Sequence, residues 1–417
     1  MISAALLYSP TITDPFFKDD INLVHGGSSY RIERANPFSR YDMLYRPAWE
    51  AYAALVYPLF GLNYSAYHLA NIALHLLNTV LVFLLARRVL KTPMRAALAC
   101  ALFALFSKIT EAVHWISASS TLLVALFMLA TVLLFLRYLD KPGLLRLSAA
   151  VLTFTIALLT KETAVTLVLL LWIAAAYAHR KSNGLKDLFI FKGRWQPFVP
   201  MVAIWSIYCF IYLFRFPHNW LVTGGSYKLS PNIFIKFFEI TTDLLFNSTH
   251  WYAFGLLVVI AAFTLLRADN RWKFGFFWLL ISTIPLLPLQ GEGLYERFNY
   301  VPLAGASIFI IAIFGSLYDL LRESRLPATR AIMPLALVAL LISSAFNVQS
   351  HIAERSSMHR EFYRELAAIE SALGALEEGQ EIEIDTNLYL PYVEQYIEIR
   401  RGLMNIEVST PSPGQSQ

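Results

Sequence analysis

Apolar runs of nearly bilayer length, separated by short clusters of lysine and arginine, recur ten times along this chain. They fall at roughly 65–86, 95–107, 116–136, 145–160, 163–179, 197–214, 251–266, 274–289, 300–317 and 331–347. A hydrocarbon core about 30 Å thick asks for about 20 apolar residues per helix, so the pattern predicts a polytopic helical membrane protein. The shorter runs suit helices that end against a water-filled cavity inside the protein. Charged residues are 15% of the chain and apolar ones 57%, against about 25% and about 45–50% in soluble domains. A soluble globular enzyme and a disordered chain are both excluded. The net charge of +5 is dispersed with no basic block, so no nucleic-acid partner is expected. Cys100 and Cys209 both lie inside apolar runs, and no disulfide framework is written here.

The charges orient the helices. Loops after the odd-numbered runs hold eighteen basic residues: Arg87, Arg88, Lys91, Arg95, Arg137, Lys141, Arg146, Arg180, Lys181, Lys186, Lys192, Arg194, Arg267, Arg271, Lys273, Arg322, Arg325 and Arg330. The alternate loops hold six, Lys108, Lys161, Arg215, Lys228, Lys236 and Arg297. The positive-inside rule assigns the first set to the cytoplasm. Residues 1–64, the alternate loops and the tail from about 348 then lie on the outer face.

Met1–Pro10 is apolar, too short to span, and lacks the basic start of a signal peptide; it reads as the last turns of a helix whose beginning is missing. The run 46–61 cannot cross without inverting every later loop. It is expected to be an interfacial helix with Trp49, Tyr52 and Tyr57 at headgroup level. Residues 358–376 read as a soluble amphipathic helix and 379–388 as a short strand. The expected fold is therefore all-α, with ten to eleven transmembrane helices, an outer interfacial helix and a small C-terminal periplasmic α/β tail. Residues 1–347 form the membrane domain, 11–64 its first outer loop, and 348–417 the tail.

The unusual ionisable groups all map to one side. Asp14, Asp19 and Asp20 precede the interfacial helix; Lys108, Glu111 and His114 fill one loop; Lys161 and Glu162 share a tight turn; Glu292, Glu296 and Arg297 share another. Charge held at membrane depth is costly and points to a site or pathway. Each set also has a plainer reading: solvated loop acids for Asp19–Asp20, a hydrophilic turn for Lys161–Glu162, a local ion pair for Glu296–Arg297. Four such sets on one face are harder to dismiss than any one. His68, Asn71, His75 and Asn78, spaced 3, 4 and 3, form one helical stripe, and interhelical hydrogen bonding is their better reading.

Five segments occur in a telling order: FFKDDINLV at 16–24, YRPAWEAYAALVYPLFGLNYSAYHLANIALHLLNTVLVFLLARRVL at 45–90, TEAVHWISASSTLLVALFMLA at 110–130, LLTKETAVTLVLLL at 158–171 and YERFNYVPLAG at 295–305. Together they resemble the membrane domain of the transmembrane and tetratricopeptide-repeat O-mannosyltransferases. More broadly, they are similar to the polytopic type-C (GT-C) glycosyltransferases, which include protein O-mannosyltransferases and bacterial aminoarabinose transferases.

The resemblance implies sugar transfer from a polyprenyl-phosphate-linked donor to an acceptor hydroxyl at the outer face. Asp19, by its place in the motif, would be the general base, with Asp20 beside it. Asp20, Glu111 or Glu162 would help place the acceptor or a divalent metal, with Asp20 and Glu111 the candidate ligands. Lys161 and Arg297 would meet the donor phosphate, and His114 and Glu296 would complete the substrate-binding set. Ser107-Lys108 stands where the mannosyltransferase-like pattern has His-Pro, and no repeats of tetratricopeptide length follow. With no ER-retention ending, a bacterial inner membrane is the expected location. Independently, a lipid phosphate leaves without protonation, so a carboxylate base and positive charge suffice for an inverting displacement.

A transporter or flippase for lipid-linked glycans is the rival, as is an inactive scaffold of the same fold. Transporters tend to show inverted repeats and charges inside their spans; here the charges lie at the outer ends. The topology is directly testable. A reporter active only in the cytoplasm, fused after Gln417, is expected to stay silent, and a signal from it would overturn the orientation.

Overall fold

A computed structural model describes residues 2–29, 44–178, 196–215, 228, 232–289, 296–322, 329–403 and 405–410. The chain is an all-α polytopic membrane protein, and each of the ten apolar runs coincides with a helix. They are α4 (Tyr64–Leu90), α5 (Pro93–Leu105), α7 (Ser119–Asp140), α8 (Leu144–Thr160), α9 (Leu167–Ala178), α10 (Val199–Arg215), α12 (Trp251–Leu266), α13 (Asn270–Thr283), α14 (Tyr300–Arg322) and α15 (Thr329–Ala372). Short helices α1 (Ile2–Tyr8), α2 (Asp19–Ser28), α3 (Pro47–Phe60), α6 (Thr110–His114), α11 (Ile233–Phe246) and α16 (Leu390–Arg401) complete the set.

Among the described residues, five helical stretches are long and apolar enough to cross a membrane, and two bent pairs, each counted as one span, raise that number to seven. The pairs are Pro93–Leu105 with Ser107–His114, bent by 61°, and α11 with α12, bent by 86°. Helices α8 and α9 are apolar but shorter. Leu144, Leu145 and Trp251 stand more than 80% exposed, as side chains facing lipid can.

Local chemistry sets the helix limits. Lys91 closes α4 in the left-handed conformation, and Pro93 then starts α5 where a missing N–H costs nothing. The carboxylate of Asp269 caps α13, accepting from the amides of Arg271 at 2.8 Å and Trp272 at 3.3 Å. Helices α13 and α14 approach most closely at Gly275, where a Cβ would stand 2.6 Å from the Phe309 nitrogen. Trp278 fills the space beside Gly305 and donates through Nε1 to the Val301 carbonyl at 3.0 Å.

The polar stripe on α4 is buried throughout. His68 Nε2 pairs with the Asp14 carbonyl at 3.0 Å, Asn71 donates to the Trp115 carbonyl at 3.0 Å, His75 Nδ1 meets the Tyr300 hydroxyl at 2.8 Å, and Asn78 donates to the Leu122 carbonyl at 2.9 Å. All four join α4 to other segments, so the stripe is interhelical glue.

Two differences from the sequence-based expectation stand out. The last apolar run and the amphipathic segment after it form one continuous helix, α15, of 44 residues. The strand at 381–383 is present, but it pairs in parallel with Glu407–Ser409, a partner the sequence did not announce. This tail is not an appendage. Phe362, Leu366, Ile382, Val393, Ile397 and Val408 share one apolar core with Phe16, Ile21, Val24, Ala53 and Val56 of the first outer loop.

Asp14 locks that arrangement. Its buried carboxylate accepts from His114 at 2.9 Å, from Arg360 at 3.0 Å and from the Ser356 hydroxyl. Burial alone would raise its pKa, but the bonds from His114 and Ser356 outweigh that and hold the carboxyl below its usual range. Breaking a buried ionic cluster from one side costs about 3–5 kcal/mol. Asp14→Ala is therefore expected to lower the thermal midpoint of the detergent-solubilised protein by several degrees, and an unchanged melt would remove Asp14 from this role.

Candidate functional site

The acidic motif opens α2 on a strained turn. Lys18, just ahead of it, has φ 47° and ψ −116°, a backbone conformation that side chains other than glycine rarely adopt. Asp20 is fully buried and both its oxygens are committed. Oδ2 accepts from the Phe17 amide at 2.9 Å, reaching back as an acid in the first turn can. Oδ1 accepts from the Ser117 amide at 2.7 Å, which pins α2 to the turn before α7. Burial pushes the Asp20 carboxyl well above the usual range, against the two amide donors that favour its anion.

Asp19 faces the other way and stays partly exposed. Its Oδ1 accepts from the Tyr392 hydroxyl at 2.6 Å and from Asn22 Nδ2 at 3.3 Å. Ser117 Oγ donates to the Asp19 carbonyl at 3.0 Å, so the 116–118 turn holds both acids of the motif at once.

The remaining candidates gather around Trp115. Its indole N–H donates to the Phe17 carbonyl at 3.2 Å, and the guanidinium of Arg297 lies 4.5 Å from its ring centroid. Arg297 grips Glu111 twice, through its side chain at 2.6 Å and its amide at 2.9 Å. Lys161 Nζ sits 4.7 Å over the neighbouring Phe298 ring and donates to the Thr121 hydroxyl at 2.6 Å, not to a carboxylate. Burial and the nearby Arg46 push its ammonium well below the usual lysine range, with Glu162 pulling the other way. A small opening beside it is lined by Thr121, Lys161, Thr163, Ser282 and Phe298. Glu162 is held by both arms of Arg46, at 2.6 and 2.9 Å, which ties the α8–α9 turn to the first outer loop. Trp49 adds a bond to Ser119 at 3.0 Å.

Thus Asp19, Asp20, Glu111, Lys161, Glu162 and Arg297 belong to one connected layer. His114 and Glu296 belong to its edge. His114 is fully buried against Asp14 and stacks on His359 with centroids 4.6 Å apart. Glu296 turns to α15, where it meets Arg355 at 2.9 Å and His351 at 3.1 Å. Glu292 lies outside the described residues. The Asp20 and Glu111 carboxylates are already taken up by amides and by Arg297, and no three His, Cys, Asp or Glu side chains among the described residues group to hold a metal ion. In this arrangement the two acids do not fit as metal ligands.

Sequence reasoning passed over three participants. Arg46 was visible only as part of the YRPAW segment; its partner is 116 residues away. Trp115 carried no charge to mark it. Tyr392 lies in the tail, 373 residues from the carboxylate it touches, and no local pattern could have paired them.

The chain is similar to known proteins in part of its sequence and in its fold. The family profile described as "Dolichyl-phosphate-mannose-protein mannosyltransferase" matches residues 47–193. The protein O-mannosyl-transferase Tmtc1 of Drosophila melanogaster is 37% identical over 118 residues, which are 27% of this chain and 14% of that protein. The chain therefore matches about a seventh of that curated relative's length. The crystal structure of ArnT from Cupriavidus metallidurans in the apo state superposes with a TM-score of 0.52, covering 98% of this chain and 84% of that one at 13% identity. That likeness speaks for the fold, and the profile and the Tmtc1 segment add a similarity to mannosyltransferases at the sequence level over part of the chain.

Proposed function

We propose that this protein moves a sugar from a polyprenyl-phosphate donor to an acceptor hydroxyl at the outer face of a bacterial inner membrane, inverting the anomeric centre. The observation that carries the reading is the short bond to Asp19 from a hydroxyl, 2.6 Å, in the connected layer that also holds Lys161 and Arg297. A general base has to stand about 2.6–3.2 Å from the proton it takes, and Asp19 already holds an O–H at that range.

In this scheme Asp19 takes the acceptor's hydroxyl proton as the oxygen attacks the anomeric carbon. The bond from that carbon to the phosphate oxygen breaks, and the polyprenyl phosphate departs with the electron pair. No acid is needed for so good a leaving group. Lys161, whose ammonium faces a hydroxyl and an aromatic ring, is the cation with most to gain from a phosphate. Arg297, already spanned by Glu111, contributes a field fixed in place before the reaction. Loss of such a preorganised contact costs about 3–4 kcal/mol in the barrier. Glu162 acts through Arg46 and holds the loop that carries the acidic motif against the helix bundle.

Asp20 then has a positioning role, since its two oxygens are spent on backbone amides. The two acids are expected to fail differently. Asp19→Asn should abolish transfer from polyprenyl-phosphate mannose, or from whichever polyprenyl-phosphate sugar a donor panel identifies, and leave the melting curve unchanged. Asp20→Asn offers one acceptor oxygen to two buried amides and should lower stability by about 1–3 kcal/mol, with a partial loss of turnover. Normal turnover in Asp19→Asn, beside an active wild type, would place the base elsewhere.

A further inference from the structure

The tail does more than complete a core, because one of its side chains sits on the proposed base. Helix α16 packs on α2 through Val393 and Ile397 and through a contact of Glu398 with His25 Nε2 at 2.9 Å. Its first turn brings the Tyr392 hydroxyl to 2.6 Å from Asp19 Oδ1, a separation characteristic of O–H donation to a carboxylate. Burial and the Asp19 charge both push the phenol above its ordinary range, so it is a neutral donor throughout the physiological range. The ring is held edge-on by Phe362 and Tyr389, with centroids 6.1 and 5.2 Å away, and Tyr389 itself is 64% exposed.

We infer that Tyr392 is a specificity-determining residue of the acceptor site: its phenol occupies the place of the acceptor hydroxyl on Asp19, and a reacting hydroxyl has to displace it. The inference rests on the reading of Asp19 as base. Three features separate a stopper from a simple structural clasp. The contact is made to the partly exposed acid of the pair, while the buried acid is satisfied by backbone alone. The group in contact is of the same chemical type as the acceptor, a hydroxyl. The helix that carries it comes from the tail and not from the elements that hold Lys161 and Arg297, so the contact on Asp19 is separate from the bonds of those cations. A hydroxyl that cannot compete with an intramolecular phenol is then refused, while an acceptor with further contacts to the tail displaces it.

Carboxyl labelling tests this without relying on turnover. The full chain in detergent is treated with a water-soluble carbodiimide and glycine amide, and Asp19 labelling is read by peptide mass spectrometry against the exposed Glu378. Tyr392→Phe keeps the ring and removes the donor. It should raise Asp19 labelling several-fold, whereas Tyr396→Phe, which removes from the same α16 a phenol bonded to Tyr363 of α15, should leave it unchanged. Given polyprenyl-phosphate mannose as donor and glycerol as acceptor, Tyr392→Phe should also lower the acceptor KM several-fold at constant kcat. Unchanged Asp19 labelling, an equal rise in Tyr396→Phe, or a fall in kcat at constant KM would each overturn the stopper. A wild type inert toward every polyprenyl-phosphate sugar of a donor panel, with labelling raised in Tyr392→Phe, would leave the Tyr392–Asp19 contact standing and overturn the transferase reading, and with it the stopper.

Discussion

Backbone that leaves the helical pattern among apolar helices must find hydrogen-bond partners, and one such stretch organises this molecule. Between α5 and α7 the chain passes through a 3₁₀ turn, the five-residue helix α6 and a second 3₁₀ turn. Each unpaired amide or carbonyl left buried there would cost several kcal/mol. The partners that prevent this come from elsewhere in the chain: Asn71 from α4 takes the Trp115 carbonyl, and Asp20 from the acidic motif takes the Ser117 amide. Glu111, His114 and Trp115 project from the same stretch toward Arg297, Asp14 and Phe17. Satisfying the break thus assembles the site.

The charges in this layer follow the same economy of pairing. Glu111 with Arg297, and Glu162 with Arg46, are close pairs in which each carboxylate accepts two hydrogen bonds. A buried pair of this kind adds little net stability but is costly to break from one side, so it fixes geometry. Lys161 differs, because its bond to the Thr121 hydroxyl leaves its positive charge without a directly bonded anion. Burial, with Arg46 nearby, lowers its proton affinity, and Glu162 offsets this only in part.

The apolar framework was legible because hydropathy and span length are coupled by the bilayer itself, and all ten runs are met by helices. The stripe on α4 was equally legible, since spacings of 3, 4 and 3 leave little choice of face. Helix α11 escaped notice because Lys236, Glu239 and Asp243 interrupt its apolar residues. The continuity of α15 escaped for the opposite reason: composition changes abruptly near residue 348, but backbone helicity does not respond to that change. For the site, the acidic motif and the charged turns could be named one by one. What could not be read was their pairing, because Arg46 with Glu162, Asp14 with Arg360 and Asp19 with Tyr392 are joined by the fold and by no sequence period.

The shared core of loop and tail explains why the acidic motif needs both ends of the chain. Helix α2 is ten residues long, too short to persist alone in water. It is held beneath by Asp20 on the 116–118 turn and above by the apolar side chains of α16. An acidic motif carried on so short an element gains a defined direction only from this clamp. The buried acid is anchored through two backbone amides and the partly exposed one through a hydroxyl of α16, so two adjacent aspartates with identical chemistry stand in opposite surroundings.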